Sequence, residues 1–177
     1  MAIYLSILRG INVSGKNSIK MDALKKMYES LGFTGVITYI QSGNVIFESK
    51  STKGLDKIIE GKIKSEFDYD VLVIVLTYAD LKNTIDSNPF VKRTNIESDK
   101  LHVTFLTEIP SNEDIKNIAS INYTPDEFNI VDKAIYLHCP NGYGNTKLNN
   151  TFFEKKLKVK ASTRNWKTTN ELLKLMS

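Results

Sequence analysis

The chain has 177 residues, 41% of them hydrophobic and 25% charged, a balance that allows a buried core without metals or disulfides and excludes a disordered or low-complexity protein. Its single cysteine, Cys139, has no internal partner and points to a reducing, cytoplasmic compartment, while the longest strongly apolar run, residues 71–76, is far short of the roughly twenty residues a membrane helix needs. The net charge of +4 is uneven, because residues 147–177 hold eight Lys or Arg against two Glu and the rest holds sixteen against eighteen acids.

Taken in chain order, residues 2–8 are apolar, β-branched and aromatic enough for a first strand, and the Gly- and Asn-bearing stretch 9–18 interrupts it as a loop. Leu24, Met27, Tyr28 and Leu31 then fall at helical spacing, with Gly32 where a left-handed helix end is wanted. Strand-like runs at 36–40 and 45–48 flank Gln41-Ser42-Gly43-Asn44, whose residues suit a hairpin turn. A second helix over 55–67 carries Leu55, Ile58, Ile59 and Ile63 on one stripe, and 71–76 is expected to be a fully buried strand. A connecting helix follows, capped by Thr77 and ended by Asn88-Pro89.

The second half repeats this order with weaker signals: a strand at 101–106, a helix at 112–119 capped by Ser111, strands at 128–131 and 135–139, a helix at 148–157 and a short strand near 159–161. A last helix over 166–176 is capped by Thr163 or Asn165. The reading is an α+β chain of two tandem ferredoxin-like (βαββαβ) subdomains, residues 1–76 and 100–177, joined by a connecting helix and loop at 77–99 and closed by the carboxy-terminal helix. Both faces of the first sheet are apolar, so its own helices cover one and the second half or another subunit covers the other.

The most informative stretch is Arg9-Gly10-Ile11-Asn12-Val13-Ser14-Gly15-Lys16-Asn17, a loop rich in donors and permissive backbone that could cradle an anion. Gly10 to Lys16 fits the first positions of a phosphate loop, but Asn17 replaces the magnesium-holding hydroxyl and the helix starts too late, so a nucleoside triphosphatase is excluded. In a βαββαβ sheet the first two strands run the same way, so this loop and the 41–44 turn should meet. The expected rim gathers Arg9, Asn12, Lys16, Gln41, Ser42 and Asn44, a set of donors with few carboxylates that suits anion holding over acid–base work.

The segments Arg9-Gly10-Ile11-Asn12-Val13, Gly15-Lys16-Asn17, Tyr39-Ile40-Gln41-Ser42-Gly43-Asn44-Val45 and Thr163-Arg164-Asn165-Trp166 together resemble the bacterial family catalogued as domain of unknown function 1697. The resemblance implies an α+β fold with ferredoxin-like subdomains and no particular activity. It directs attention to Arg9, Gly10, Asn12, Gly15, Asn17, Gln41, Ser42, Gly43, Asn44, Arg164, Asn165 and Trp166, with Gly43 serving the turn and Trp166 packing. The chain departs from the family pattern at Ser14, where glycine is more usual.

His102 and His138 fall on the polar register of their strands and would approach each other if those strands were neighbours, but no further ligand stands at metal-binding spacing, so no metal or other cofactor is expected. No nucleophile or catalytic-loop motif appears. The leading expectation is a binding module for a small anionic or phosphate-bearing ligand at the rim. The alternatives are nucleic-acid binding through the basic carboxy-terminal region and an enzyme at the same rim whose base is unidentified.

Overall fold

The computed structural model describes residues 1–177 as a mixed α+β protein with two four-stranded antiparallel sheets and six helices. The chain separates into two compact units, residues 1–82 with 172–177, and residues 83–171. Relative to the expected division at 76 and 100, residues 83–99 go with the second unit and the last six residues with the first.

The first unit runs β1 (Ala2–Leu8), α1 (Met21–Ser30), β2 (Thr34–Tyr39), β3 (Asn44–Ser49), α2 (Leu55–Phe67) and β4 (Val73–Thr77), with strand order β2-β3-β1-β4. Alternation along β1 sends Tyr4 and Leu8 into a core with Leu24, Met27 and Tyr28 of α1 and Ile59 and Ile63 of α2. Phe47 of β3 anchors it, its ring 4.5 Å from Phe33 and 5.4 Å from Tyr28. Each such side chain contributes about 2 kcal/mol by leaving water. Tyr28 is fully buried, and its hydroxyl is satisfied by Ser6 Oγ at 2.6 Å, while burial pushes its ionisation well above the usual tyrosine range. Leu5 and Ile7, on the opposite face of β1, are also fully buried, so the sheet carries apolar side chains on both sides.

β4 differs from the expected buried run at 71–76. It starts at Val73 because β1 ends opposite it, Leu8 pairing with Val73, and as an edge strand it leaves Val75 and Leu76 only half-buried. The amide of Val73 is accepted by Glu60 Oε1 of α2 at 3.1 Å. α1 ends as its sequence suggests, with Gly32 at φ +83 and its amide donated to Glu29 O.

From the first unit α3 (Tyr78–Asp86) leads into the second, which contains β5 (Leu101–Leu106), α4 (Asn112–Ala119), β6 (Glu127–Val131), β7 (Ala134–His138), α5 (Asn150–Leu157), β8 (Ala161–Asn165) and the start of α6 (Trp166–Met176), with strand order β6-β7-β5-β8. Its core joins Leu106, Ile118, Ile135, Leu137, Cys139, Leu148, Phe153 and Leu157. The last strand lies at Ala161–Asn165, beyond the expected 159–161. Its polar residues hid it, since Thr163 is accommodated by a 2.7 Å hydrogen bond to Thr104 Oγ1 and another to Asn150 Oδ1. α5 begins at Asn150, after Leu148, because Asn149 Oδ1 accepts the Phe152 amide and caps the helix there.

The two units close their sheets with the same bonds. Leu8 N donates to Gly43 O at 2.8 Å and Arg9 N to Leu72 O at 3.0 Å; at the end of β5, Leu106 N donates to Lys133 O at 2.8 Å and Thr107 N to Lys160 O at 3.0 Å. The helices after the last strands are also capped alike, Asp80 N by Thr77 Oγ1 and Thr168 N by Asn165 Oδ1. The connections differ. Twelve residues, 9–20, join β1 to α1 where five, 107–111, join β5 to α4, and four residues, 40–43, join β2 to β3 where two, 132–133, join β6 to β7. No helix is long and apolar enough to cross a membrane.

Candidate functional site

The long connection after β1 folds back on itself. Asn12 N donates to Asn17 O at 3.1 Å and Lys16 N to Val13 O at 2.9 Å, and the two residues between them, Ser14 (φ +50) and Gly15 (φ +75), are both left-handed. That is the type I′ arrangement that turns a two-residue hairpin. Asn17 (φ +49) closes the base by donating Nδ2 to Gly10 O at 3.0 Å. Four residues separate Lys16 from α1, so the segment is a small β-finger and does not wrap an anion at a helix start.

Asn12 joins this finger to the β2–β3 turn. Its Nδ2 donates to Gln41 O at 2.9 Å and to Ile19 O at 3.0 Å, and its Oδ1 accepts from Ile19 N at 2.8 Å. The expected meeting of the two segments is thereby present. Gly43 lies beneath it at φ +87, where a Cβ would stand 2.8 Å from Leu8 Cβ and 2.9 Å from Ile11 Cγ1. Only glycine serves there, because both the torsion and the approach of β1 exclude a side chain. Asn44 is fully buried and donates Nδ2 to Tyr39 O and to Ser42 Oγ.

The geometry therefore divides the expected rim residues. The amides of Asn12, Asn17 and Asn44 bond their own backbone and neighbours and build the rim. Gly10, Ser14, Gly15, Lys16 and Gln41 are exposed, and Arg9 is half-buried where β1 leaves the sheet. Neither segment, 9–20 or 40–43, contains a carboxylate, a histidine or a cysteine, while Arg9, Lys16 and Lys20 bring three cations. Such a rim supplies charge and donors but no general base.

Two further rim residues escaped the sequence reading. Ile40, which the sequence pattern assigns to the end of a strand, lies just beyond β2 at φ +49 with 49% of its surface exposed, and Val13 on the finger is 55% exposed. The Ser14-Gly15 pair is a turn signal that could have revealed the finger; nothing in the local sequence marks Ile40 as left-handed.

Arg164, Asn165 and Trp166 stand in the second unit at the junction of β8 and α6. Asn165 caps α6, and the half-buried Trp166 opens that helix. The Arg164 guanidinium donates to Ser162 Oγ at 3.2 Å and Thr163 O at 2.9 Å, and burial pushes its pKa down to about 10, which still leaves it cationic at neutral pH.

The histidines do not approach each other. β5 and β7 are neighbours, but Leu101 pairs with His138 and His102 with Leu137, so the two imidazoles point to opposite faces. His102 stacks on Tyr143, ring centroids 4.9 Å apart, and burial lowers its pKa; His138 Nδ1 lies 3.2 Å from Glu127 Oε1. No three His, Cys, Asp or Glu side chains gather as a metal site. Cys139 is fully buried just beyond β7, and burial pushes its thiol up to about 11, which removes its nucleophilic form at neutral pH. Among the basic carboxy-terminal residues, Lys155 and Lys156 occupy the last turn of α5, where cations complement the helix dipole, and Lys158 pairs with Asp114 at 3.7 Å.

A family model described as protein of unknown function (DUF1697) matches residues 1–136, which takes in both rim segments and stops short of Arg164, Asn165 and Trp166. Among solved structures, a conserved bacterial protein from Streptococcus pneumoniae is similar with a TM-score of 0.79 at 22% identity, the alignment covering 99% of each chain; at that identity the likeness concerns the fold alone. No curated protein matches the chain.

Proposed function

We infer that this chain, which belongs to the DUF1697 family of proteins of unknown function, is a binding module that holds a small anionic or phosphate-bearing ligand at the rim formed by residues 9–17 and 41–44. Each unit is read as a ferredoxin-like βαββαβ fold and the chain as an internal duplication of it. The matching strand orders and the matched bonds at the ends of β1 and β5 support that reading.

One observation carries the functional reading. The second unit closes the same kind of sheet with connections of five and two residues, so the twelve and four used in the first are not a requirement of the architecture. The additional chain is stitched into a single rim by Asn12 and displays Lys16 and Gln41, with Arg9 half-buried at its base and no carboxylate in either segment. Loops elaborated on a rigid sheet are where binding groups are commonly found, and a cluster of donors without acids selects anions. Arg164 donates within its own strand and Asn165 caps α6, so the proposal is centred on the 9–17 and 41–44 segments.

A thermal-shift series with inorganic phosphate, sugar phosphates, nucleotides and dicarboxylates tests the proposal. A ligand at about 100 times its Kd stabilises by about 2.7 kcal/mol, which raises Tm by roughly 5–11 °C in a chain of this size. Lys16→Ala and Arg9→Ala should each reduce that shift. If no anion stabilises the protein, or if the shift is indifferent to both substitutions, the rim is not a binding site.

A further inference from the structure

We propose that the ligand of this rim carries an apolar ring joined to its anionic group, in the manner of a nucleoside phosphate, and that Ile40 with Val13 supplies the surface on which the ring rests. The inference rests on the anion-binding reading and adds the other half of the ligand.

Ile40 combines an anomalous backbone with an exposed side chain. A β-branched residue is rarely held at positive φ, because its two γ-substituents crowd the backbone, yet Ile40 stands at φ +49. Nor is it sheltered, with 49% of its surface exposed. The corresponding position of the second unit, first in the turn between β6 and β7, is Asp132 at φ +52. Aspartate tolerates that conformation and is at ease in water. The architecture thus wants a left-handed residue here and accepts the natural choice in one unit, while the rim-bearing unit places a strained, exposed isoleucine. Strain of this kind is retained where something uses it.

The position of Ile40 says what would use it. It precedes Gln41, whose carbonyl accepts from Asn12 Nδ2 at 2.9 Å, and Val13, 55% exposed, follows Asn12. The two exposed aliphatic residues are thus the chain neighbours of the two residues whose bond joins finger and turn, and Val13 is bridged to the exposed Lys16. A rim for bare phosphate needs only the polar members of this set. Apolar surface beside cations matches a ligand that is anionic at one end and apolar at the other, and a heteroaromatic base linked through a sugar to phosphate has that form.

The test compares affinities of the whole protein for inorganic phosphate, ribose 5-phosphate and the four nucleoside 5′-monophosphates by isothermal titration. A short single-stranded oligonucleotide with a 5′-phosphate is included to separate a free nucleotide from a strand end as the source. The expected result is a preference of about tenfold or more for a monophosphate over ribose 5-phosphate, the size that burial of one ring face supplies. Ile40→Asn, which substitutes a residue suited to the left-handed region, should fold with an equal or higher Tm and lose most of that preference while keeping its affinity for ribose 5-phosphate; Val13→Ser should lose part of it. A wild-type protein that binds ribose 5-phosphate and the monophosphates equally, or a preference that survives both substitutions, overturns this inference and leaves the anion rim standing. Failure of every anion to bind overturns the rim itself.

Discussion

Gly43→Ala tests the junction on which the rim depends. The new methyl group would meet two separate penalties. At φ +87 a Cβ crowds the following carbonyl, which costs about 1–2 kcal/mol. It would also stand 2.8 Å from Leu8 Cβ and 2.9 Å from Ile11 Cγ1. Leu8 Cβ is fixed by the central strand and cannot rotate away, so the overlap must be relieved by moving backbone, at about 1–3 kcal/mol. Stiffening of the unfolded chain returns about 0.4–1 kcal/mol, leaving a net loss of roughly 1–4.6 kcal/mol. Gly15→Ala is the matched control, because Gly15 has nearly the same torsion, φ +75, with nothing within 4 Å of the added atom; it should lose only the torsional part, about 1 kcal/mol or less. Equilibrium urea unfolding followed by far-ultraviolet circular dichroism measures both. If the two substitutions destabilise equally, the packing of the turn against β1 is not as described, and the joined rim goes with it.

Asn12→Ala removes three hydrogen bonds and leaves the Ile19 amide without its acceptor, so a loss of about 1–3 kcal/mol with accelerated hydrogen exchange at Ile19 is expected; unchanged exchange there would contradict it. Ser14→Gly relieves a left-handed non-glycine residue at φ +50 and should be neutral to stabilising, by up to about 1 kcal/mol, in the same urea assay; a clear loss would show that Ser14 does something its torsion does not explain. Burial holds His102 below its ordinary pKa, so the unfolded chain takes up its proton first. The stability that His102 confers is present above about pH 6.5 and is lost as pH falls below that value toward the lower folded pKa, and His102→Gln should flatten the stability profile across that window. Cys139, fully buried with its thiol raised to about 11, should react with an aromatic disulfide reagent only at the rate of unfolding, and rapid labelling of the native protein would refute its placement.

The elements with strong periodic or capping signals were legible in the sequence. α1 announced itself by Leu24, Met27 and Tyr28 and its Gly32 stop, and α4 by Ser111, whose hydroxyl does accept the Asp114 amide. β8 was displaced because its polar residue Thr163 is satisfied by Thr104 of β5 and Asn150 of α5, and such pairing leaves no hydrophobic alternation to read. The meeting of the 9–17 and 41–44 segments followed from topology alone. Which of their amides face inward did not, because Asn12, Asn17 and Asn44 look identical in sequence whether they bind a ligand or their own backbone. The histidines show the same limit, since one residue of register decides whether two side chains on adjacent strands share a face. Ile40 marks the deepest gap, a strain visible only as a torsion angle.

The division of the chain has a temporal consequence. Residues 172–177 belong with 1–82, and Leu172 and Met176 among them are almost wholly shielded from water. A ribosome releases the chain from its amino terminus, so the unit that emerges first waits for this closing segment until ninety or so intervening residues have followed it out. The earliest-made half is the last to be finished, and a nascent chain halted anywhere before residue 172 leaves it without the six residues that group with it.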